Sequence, residues 1–323
     1  MQAIKFDENA KFLVTGGAGF IGSSICETLV NMGHHVLCLD NYSTGKRKNI
    51  EHLFANALFT LVEGDIRDAS ICNQVTAGVD FVLHQAAIAS VPQSIEEPQL
   101  YHDINVTGTL NMLEAARLNK VKKFVYASTS AIYGDDESLP KKEGEEGNLL
   151  SPYAYNKKAN EEYAYLYTSL YGLDTYGLRY FNVFGKRQDP NGAYAAVVPK
   201  FITELLANRA PEIYGNGEQT RDFTYIDNVV QANLCACLCP SEYAGQAFNI
   251  AYGASDNILE LYETLRSLLD KDIEATILPP RKGDILHSFA DISKAKELLG
   301  YNPQYSFERG IKECVVWYKK ELA

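Results

Sequence analysis

The sequence predicts an α/β fold built on a doubly wound parallel sheet, followed by a smaller C-terminal α/β lobe. Strand and helix patterns alternate along the first half of the chain, as they do in parallel sheets with helices on both faces. Near the start, a short apolar strand leads through a glycine-rich turn into an amphipathic helix. The predicted strands are 12–15, 36–40, 58–62, 79–84, 123–127 and 174–181, and the predicted helices lie near 20–32, 68–77, 98–118, 153–171 and 196–207.

The strand–turn–helix at residues 11–22 has the sequence K-F-L-V-T-G-G-A-G-F-I-G. Each glycine has its own use: Gly16 permits a tight turn, Gly19 lets a diphosphate approach the backbone, and Gly22 lets the helix pack close to the strand. The start of the helix then offers free N–H groups and a partial positive charge to an anion. This order of elements predicts a dinucleotide-binding domain of the Rossmann type.

An acidic residue indicates which dinucleotide is bound. Asp40 ends the second apolar strand, at about the distance expected of a carboxylate that binds a ribose diol. It favours NAD over NADP because a carboxylate repels a 2′-phosphate, whereas the basic residues 46–48 keep NADP as the alternative. The NAD contacts predicted in this domain are Gly16, Gly19, Phe20, Ile21, Gly22, Asp40, Asn41, Asp65, Ile66, Ala86 and Ala87.

Composition and charge exclude several other classes of protein. The 323 residues carry a net charge of −11, which disfavours binding to nucleic acid or to an acidic membrane as the main activity. No apolar run is long enough to span a bilayer, and the N-terminus lacks the apolar core of a signal peptide. Seven cysteines and no secretory signal predict reduced thiols in the cytoplasm. Cys235, Cys237 and Cys239 are interpreted as buried apolar residues of a helix, and no metal site is expected.

A tyrosine and a lysine on one predicted helix form the candidate catalytic pair. Ser151 is a good N-cap and Pro152 suits the first helical position, so Tyr153 and Lys157 are one turn apart on the same face. Making a phenol basic near neutrality requires about 3 pKa units, or roughly 4 kcal/mol. One ammonium about 4 Å away, aided by a cationic nicotinamide, supplies energy of that order.

Two other interpretations of this pattern stay open. Tyr153 could be a surface tyrosine, and a second Y-x-x-x-K match runs from Tyr42 to Lys46. That second match contains Gly45 and lies in a predicted loop, so no helix fixes its geometry. The first match also follows a group of hydroxyls just past the fifth strand, Ser128, Thr129 and Ser130, of which Ser128 and Thr129 are predicted to be catalytic.

Four motifs of the first domain resemble one family. T-G-G-A-G-F-I-G, S-T-S-A-I-Y-G, S-P-Y-A-Y-N-K and G-L-R-Y-F-N-V-F-G are similar to the extended short-chain dehydrogenase/reductases that act on nucleotide sugars. In the second lobe, residues 187–201, 217–228 and 283–294 resemble bacterial UDP-N-acetylglucosamine 4-epimerases. The resemblance implies an NAD-binding domain at 1–181 with a return segment at about 223–250, and a UDP-sugar-binding lobe at 182–222 and 251–323.

The resemblance also implies roles for individual residues. Tyr153 would remove the proton of the sugar 4-hydroxyl, Thr129 would share that hydrogen bond, and Lys157 would hold the nicotinamide ribose and lower the pKa of Tyr153. The C4 hydride would pass to NAD and return to the other face of a rotated 4-keto sugar. The implied contacts are Tyr153, Lys157 and Tyr180 for NAD, Asn182, Arg221 and Arg281 for the diphosphate, and Tyr214 and Asp284 for uridine.

The choice of sugar depends on the wall of the sugar pocket. Ser288 falls at a position that resembles the family's gate beside the sugar, where the resemblance implies that a serine leaves room for an N-acetyl group and a tyrosine would not. Relatives that dehydrate the sugar have a carboxylate in the hydroxyl motif, whereas this chain has Thr129-Ser130-Ala131. The other residues implied at the substrate are Ala89, Ser90, Ser130, Gln188, Ala196 and Val197.

The sequence therefore predicts an NAD-dependent 4-epimerase of UDP-GlcNAc and UDP-GalNAc. Two alternatives use the same chemistry on UDP-glucose and UDP-galactose or on acidic N-acetylated sugars, and a third is a catalytically silent NAD-binding regulator. A homodimer is also expected, because Tyr163, Tyr167 and Tyr171 form a second apolar stripe on the helix that carries Tyr153. The family resemblance pairs that helix with helix 98–118 of the other subunit.

Overall fold

A computed structural model describes residues 4–191, 196–280 and 286–322 of the chain. The helices in these ranges are α1 (Phe20–Asn31), α2 (Ala69–Thr76), α3 (Val91–Glu96), α4 (Pro98–His102), α5 (Gly108–Leu118), α6 (Pro152–Tyr171), α7 (Val197–Leu206), α8 (Ile226–Leu238), α9 (Ile258–Leu269) and α10 (Phe307–Glu321). The strands are β1 (Lys11–Thr15), β2 (His35–Asp40), β3 (Phe59–Glu63), β4 (Phe81–His84), β5 (Lys123–Thr129), β6 (Asp174–Tyr180), β7 (Val183–Phe184), β8 (Glu212–Tyr214), β9 (Thr220–Arg221), β10 (Thr224–Tyr225), β11 (Gln246–Ile250), β12 (Asp256–Asn257), β13 (Thr276–Leu278) and β14 (His287–Ser288).

Seven of these strands form one parallel sheet in the order β11-β6-β5-β4-β1-β2-β3. The predicted doubly wound α/β fold is confirmed. The chain leaves β1 towards β2 and later returns to β4 on the other side of β1, so the order of strands reverses there. At such a switch point the loops after the two strands diverge, which opens a crevice at the carboxyl edge of the sheet.

Both faces of the sheet are covered, which explains why its strands are apolar runs. Successive residues of β1 alternate between the two cores: Phe12 and Val14 pack in one, and Leu13 packs in the other. The first core lies under α1 and α8 and continues into the C-terminal part of the chain. The second lies under α2, α5 and α6.

The C-terminal part of the chain contributes to the sheet and also builds small sheets of its own. The segment expected to return, at about 223–250, provides α8 and the edge strand β11, which pairs with β6. Around the carboxyl edge, β9 pairs with β12 and β14, and β8 pairs with β13. These short strands place residues from distant parts of the sequence side by side.

The cysteines are all buried and unpaired. Burial raises the pKa of Cys72, Cys235 and Cys239, to about 12, 11 and 11 respectively, so these thiols stay protonated at neutral pH. Among the described residues no group of His, Cys, Asp and Glu is placed to hold a metal ion. Within the same ranges, no helix is long and apolar enough to cross a membrane.

Candidate active site

The glycine turn between β1 and α1 forms the floor of the crevice. Gly16 has a φ of +65°, and a Cβ added to it would lie 2.7 Å from the backbone nitrogen of Ala86, at the end of β4. A Cβ added to Gly22 would lie 2.1 Å from the carbonyl oxygen of Gly16. Gly19 precedes α1 and gives its first turn no side-chain cap. The first N–H groups of α1 therefore remain free for an anion.

Asp40 fixes the shape of this turn. Its Oδ2 accepts a hydrogen bond of 2.9 Å from the backbone N–H of Ala18, and its Oδ1 accepts one of 2.8 Å from Tyr42. The carboxyl is buried, and burial raises its pKa. It therefore has a structural task in addition to the ribose contact expected of it.

The basic residues after Asp40 are engaged with protein groups. The ammonium of Lys46 forms an ion pair with Asp189. The guanidinium of Arg47 lies 4.6 Å from the ring centroid of Phe54. These contacts weaken the case for a 2′-phosphate site and leave Asp40 as the group that faces the cavity.

A cavity of about 250 Å³ runs along the crevice. Its wall contains the predicted NAD contacts from Gly16 to Ala87, together with Ala89, whereas Tyr153, Lys157 and Tyr180, which were also expected to contact NAD, are not part of it. Near one end, Asp65 is bound by Arg67 through hydrogen bonds of 3.0 and 2.7 Å, and by Asn41 at 2.8 Å, so its pKa falls to about 2. The wall residues that the sequence did not single out are Leu39, Ser43, Thr44, Gly64, Gln85, Ile88 and Ile104.

The residues of this cavity fit a dinucleotide. Free helix amides and a backbone without Cβ atoms at Gly16 and Gly19 suit a diphosphate, and Asp40 suits a ribose. Apolar side chains such as Ile66 and Ile88 suit the flat faces of bases. Because the turn residues were recognisable by their spacing, this part of the site could be predicted. Ser43 and Thr44 lie in a loop without such spacing, so their place in the cavity wall could not be predicted.

Tyr153 lies at the start of α6, which begins as predicted. Ser151 caps the helix by accepting a 3.1 Å hydrogen bond from the N–H of Ala154. Tyr153 is only 8% exposed, and burial raises its pKa to about 12, against the opposing effect of a hydrogen bond with Thr129. Tyr153 and Thr129 are therefore brought together as expected.

Lys157 is predicted to lower the pKa of Tyr153 with the help of a bound nicotinamide, and in this structure its ammonium has another partner. Its ammonium donates a 2.9 Å hydrogen bond to the carbonyl oxygen of Ala127, and burial lowers its pKa to about 8. Burial, not this ammonium, controls the pKa of Tyr153. The charge of Lys157 acts instead on buried His84, whose pKa burial lowers to about 3 with help from Lys157.

The prediction that Ser128 is catalytic requires correction. Its hydroxyl donates a 2.6 Å hydrogen bond to Oε1 of Glu161, two helical turns beyond Tyr153. Glu161 in turn accepts hydrogen bonds of 2.9 and 2.7 Å from Arg179. Ser128 and Thr129 are neighbours on a strand, so their side chains leave on opposite faces. Only Thr129 joins Tyr153.

Tyr180 contacts a residue of the cavity wall, Gln85. Its hydroxyl donates to Gln85 at 3.1 Å and accepts from Asn233 at 2.9 Å. Gln85 lines the cavity along the crevice, whereas Tyr180, which was expected to contact NAD, does not. The second Y-x-x-x-K match forms no catalytic pair: the Tyr42 hydroxyl is buried without a hydrogen-bond partner in the described ranges, and Lys46 pairs with Asp189.

A second cavity, of about 280 Å³, lies among the C-terminal elements. Five residues assigned to the substrate line it: Asn182, Ala196, Val197, Tyr214 and Arg221. Lys200 and Glu212 form a 3.0 Å ion pair in its wall. The other wall residues, which the sequence did not single out, are Val183, Phe184, Val198, Phe201, Ile213, Gln219, Phe223 and Ile258.

Ser288 lies beside this cavity's arginine. It is the register partner of Arg221 where β14 runs parallel to β9. Ser130 directly follows Thr129 in the turn after β5. Arg281 and Asp284 fall outside the described residues.

Two residues expected at the substrate have other partners. Gln188 donates a 3.0 Å hydrogen bond to the carbonyl of Val183 and lines a separate small cavity with Lys46 and Trp317, so the structure does not support that assignment. Ser90 caps α3 by accepting a 3.2 Å hydrogen bond from the N–H of Gln93.

Comparison with known proteins identifies what this arrangement resembles. Residues 12–251 match a family described as the NAD dependent epimerase/dehydratase family. Over 309 residues, 95% of this chain and 98% of the relative, the sequence is 41% identical to a putative UDP-glucose 4-epimerase of Methanocaldococcus jannaschii.

Two solved structures extend this similarity to the fold. The first is a UDP-N-acetylglucosamine 4-epimerase of Methanobrevibacter ruminantium in complex with UDP-N-acetylmuramic acid, at a TM-score of 0.92 and 39% identity, covering 97% of this chain and 99% of that one. The second is a UDP-glucose 4-epimerase of Thermotoga maritima with UDP-glucose, at 0.91 and 38%, covering 97% and 100%. The resemblance stated from the motifs is confirmed, and so is NAD as the cofactor.

We predict that the protein purified without added cofactor carries NAD. We expect the turn, Asp40 and the free amides of α1 to bind it, and a cofactor that ended each cycle unchanged would have no need to leave. Mass spectrometry of the supernatant after denaturation measures the bound species. NADP in its place would show that the basic residues after Asp40 outweigh its carboxylate.

Proposed function

The chain belongs to the NAD dependent epimerase/dehydratase family, and from that premise we propose that it interconverts UDP-GlcNAc and UDP-GalNAc. The observation that carries the proposal is the buried pair of Tyr153 and Thr129, with Lys157 one turn along the same helix. We also propose that residues 1–181 with the return segment bind NAD, that the remaining segments bind the UDP-sugar, and that the enzyme works in the cytoplasm.

The chemistry requires a proton to leave the sugar 4-hydroxyl and later to return. Tyr153 accepts that proton, and Thr129 holds the same hydroxyl through a hydrogen bond. When bound, NAD would supply the group that accepts the hydride from C4 and that gives it back after the 4-keto sugar has rotated. Tyr153 then returns the proton to the oxygen at C4, so the side chain ends each cycle as it began.

The pKa of Tyr153 determines how much more acidic the phenol must become to act as a base. With a pKa of about 12, the phenol must be made more acidic by about 5 units to act near neutrality, which corresponds to roughly 7 kcal/mol. This is more than the 3 units of a free phenol, because the side chain is buried. Burial also strengthens the effect of any positive charge that enters the site. We therefore expect Tyr153 to become a base only when the cofactor site is filled.

The hydroxyl motif favours epimerisation over elimination. Thr129, Ser130 and Ala131 include no carboxylate, so this motif offers no additional acid or base for removing water from the sugar. Asn182, Tyr214 and Arg221 in the wall of the second cavity support a UDP moiety there, because a guanidinium and an amide are good partners of a diphosphate. Ser288, beside Arg221, supports an N-acetylated sugar.

A homodimer is proposed with a corrected interface. Tyr167 is 8% exposed and donates a 3.0 Å hydrogen bond to Glu114, so it belongs to the subunit's own core and not to the predicted stripe. The exposed apolar face of α6 instead includes Tyr163, Leu166 and Leu170, the last being 67% exposed. These positions are spaced three and four residues apart, as in one face of a helix.

The activity is tested by incubating the protein with UDP-GlcNAc, UDP-Glc and the corresponding uronates, and following the epimers by NMR. We expect UDP-GalNAc to form from UDP-GlcNAc with the highest kcat/KM. Faster turnover of UDP-Glc would favour the alternative named by two of the relatives. No turnover of any sugar by NAD-loaded protein would favour the silent regulator.

We predict that Tyr153→Phe lowers kcat by at least ~10²-fold, the lower end expected for a general base. The matched control is Tyr42→Phe, which removes a buried hydroxyl that has no hydrogen-bond partner in the described part of the chain and should leave kcat unchanged. Initial rates of both variants at saturating UDP-GlcNAc give the comparison. Full activity of the Tyr153 variant would mean that another group is the base.

We predict that Ser288→Tyr selectively weakens the use of acetylated sugars. The added ring and an acetamide would compete for the same space, and overpacking costs ~1–3 kcal/mol, or about 5- to 150-fold in an equilibrium constant. UDP-Glc, with only a hydroxyl at C2, should be spared. The measurement is the ratio of kcat/KM for UDP-GlcNAc over UDP-Glc, with His287→Tyr on the exposed neighbouring position as control. An unchanged ratio would remove Ser288 as the gate.

We predict that light scattering at micromolar concentration gives twice the 35.9 kDa chain mass. Leu170→Glu should shift the protein towards the monomer, because it would bury a charge in the proposed helix–helix interface. Val316→Glu, at another exposed apolar position, is the control and should leave the mass unchanged. A wild-type mass equal to one chain would end the dimer proposal.

A further inference from the structure

Asp222 is a fully buried carboxylate next to the second cavity. It lies between β9 and β10, directly after Arg221, and its exposed fraction is 0%. It is absent from the wall of the cavity, whereas Arg221 and Phe223 on either side are part of that wall. Any influence on a ligand must therefore pass through its neighbours.

Among the described residues, the hydrogen bonds to the carboxylate come from backbone N–H groups. Oδ1 accepts from Tyr252 at 3.0 Å and from Gly253 at 3.2 Å. Oδ2 accepts from Gly253 at 3.1 Å and from Ala290 at 3.2 Å. One side chain thus fastens the turn that follows the edge strand β11 to the segment that follows β14.

The backbone of Asp222 contacts two more of the residues proposed to bind the substrate. Its N–H donates a 2.9 Å hydrogen bond to the carbonyl oxygen of Ser288, and its own carbonyl oxygen accepts a 3.4 Å hydrogen bond from the side-chain amide of Asn182. Ser288 is also the register partner of Arg221. Asp222 is therefore a common partner or neighbour of Asn182, Arg221 and Ser288, which are distant in sequence.

The chemistry of the position requires an acceptor on both atoms. Four hydrogen bonds converge on two oxygens, so an amide in the same place would turn an N–H group towards N–H donors. Burial raises the pKa of Asp222 to about 7, while the hydrogen bonds from Ala290, Tyr252 and Gly253 favour the charged form. The backbone donors thus offset part of the cost of burying this carboxylate, and the carboxylate in turn fixes the positions of these donors.

We propose that Asp222 is a positioning residue for the UDP-sugar site, which holds Arg221, Ser288 and Asn182 in the arrangement that binds the diphosphate and the sugar. The inference rests on the proposed function. It assigns Asp222 no contact with the substrate. Instead, the carboxylate locks the 252–253 turn and the Ser288–Ala290 segment in place, and these fix the strand pair on which Arg221 lies.

The test compares Asp222→Asn with a matched control. Asp227→Asn removes a carboxylate that is also largely enclosed but interacts with Tyr305 and touches none of the three substrate residues. Calorimetry with UDP as the probe, on NAD-loaded protein, should show about tenfold weaker binding for the Asp222 variant, as expected when buried donors lose an acceptor. The Asp227 variant should bind within about twofold of wild type.

Steady-state kinetics separate positioning from loss of the fold. For Asp222→Asn we expect KM for UDP-GlcNAc to rise about tenfold, while kcat changes less than about threefold and the NAD content per chain stays the same. An equal fall in kcat and NAD content without a change in KM would overturn the proposal. UDP binding equal to that of wild type would also overturn it, and wild type that binds UDP but turns over no sugar would contradict only the proposed function.

A measurement on the wild type covers the case in which the variant does not fold. Hydrogen exchange of segments 250–254 and 287–291 should slow together when UDP is added, because Asp222 couples both to Arg221. Exchange at α5, far along the sequence and on the other core, should stay the same. No slowing of either segment by saturating UDP would contradict the proposal.

Discussion

The close approach of the glycine turn to the end of β4 is the constraint on which the site depends. The backbone of Gly16 comes so near to Ala86 that no Cβ fits between them, and Gly22 leaves as little room against Gly16. This contact places the first amides of α1 at the crevice where the strand order reverses. Asp40 then clamps the turn through Ala18 and Tyr42. The same few residues therefore determine both the packing of the sheet and the shape of the proposed cofactor site.

Burial sets the protonation of the groups that we propose to be catalytic. The pKa of Tyr153 is raised and that of Lys157 is lowered, each chiefly because the charged form loses water. In this structure the phenol of Tyr153 is neutral near pH 7, and the ammonium of Lys157 donates to the carbonyl oxygen of Ala127. We expect both groups to respond to a charge that enters the crevice, so that activity depends on a filled cofactor site. Asp222 shows the same balance in the second lobe, where backbone N–H groups hold a buried carboxylate.

The elements and the glycine turn were predictable because their patterns are local. Strands buried on both faces are apolar runs, and α6 starts at a serine cap followed by proline. The wrong predictions concerned residues whose roles depend on which face of an element they lie on and which side chains they contact. Helix periodicity showed a second stripe on α6, but it could not tell that Tyr167 fills the subunit's own core. Ser128 and Thr129 are neighbours on a strand, so their side chains point to opposite faces of the sheet. The sequence alone therefore allowed the prediction that only one of them lies beside Tyr153.

The loops of the second lobe were the least predictable part. Arg187 has a φ of +69°, and this backbone turn precedes Gln188, which lies away from the second cavity. Asp222 was overlooked because its partners, Tyr252, Gly253 and Ala290, come together only when the short strands pair. Such contacts leave no periodic trace in a sequence. The motif around Arg221 indicated a substrate site, but it did not indicate the role of Asp222 within that site.

In the proposed reaction one hydrogen leaves C4 of the sugar and returns to the same carbon. The direct measurement converts UDP-GlcNAc that carries deuterium at C4, in ordinary water, and examines the product by NMR and mass spectrometry. We expect UDP-GalNAc that keeps its deuterium at C4, and we expect no deuterium at C4 when unlabelled UDP-GlcNAc is converted in heavy water. Loss of the deuterium to solvent during turnover would contradict it.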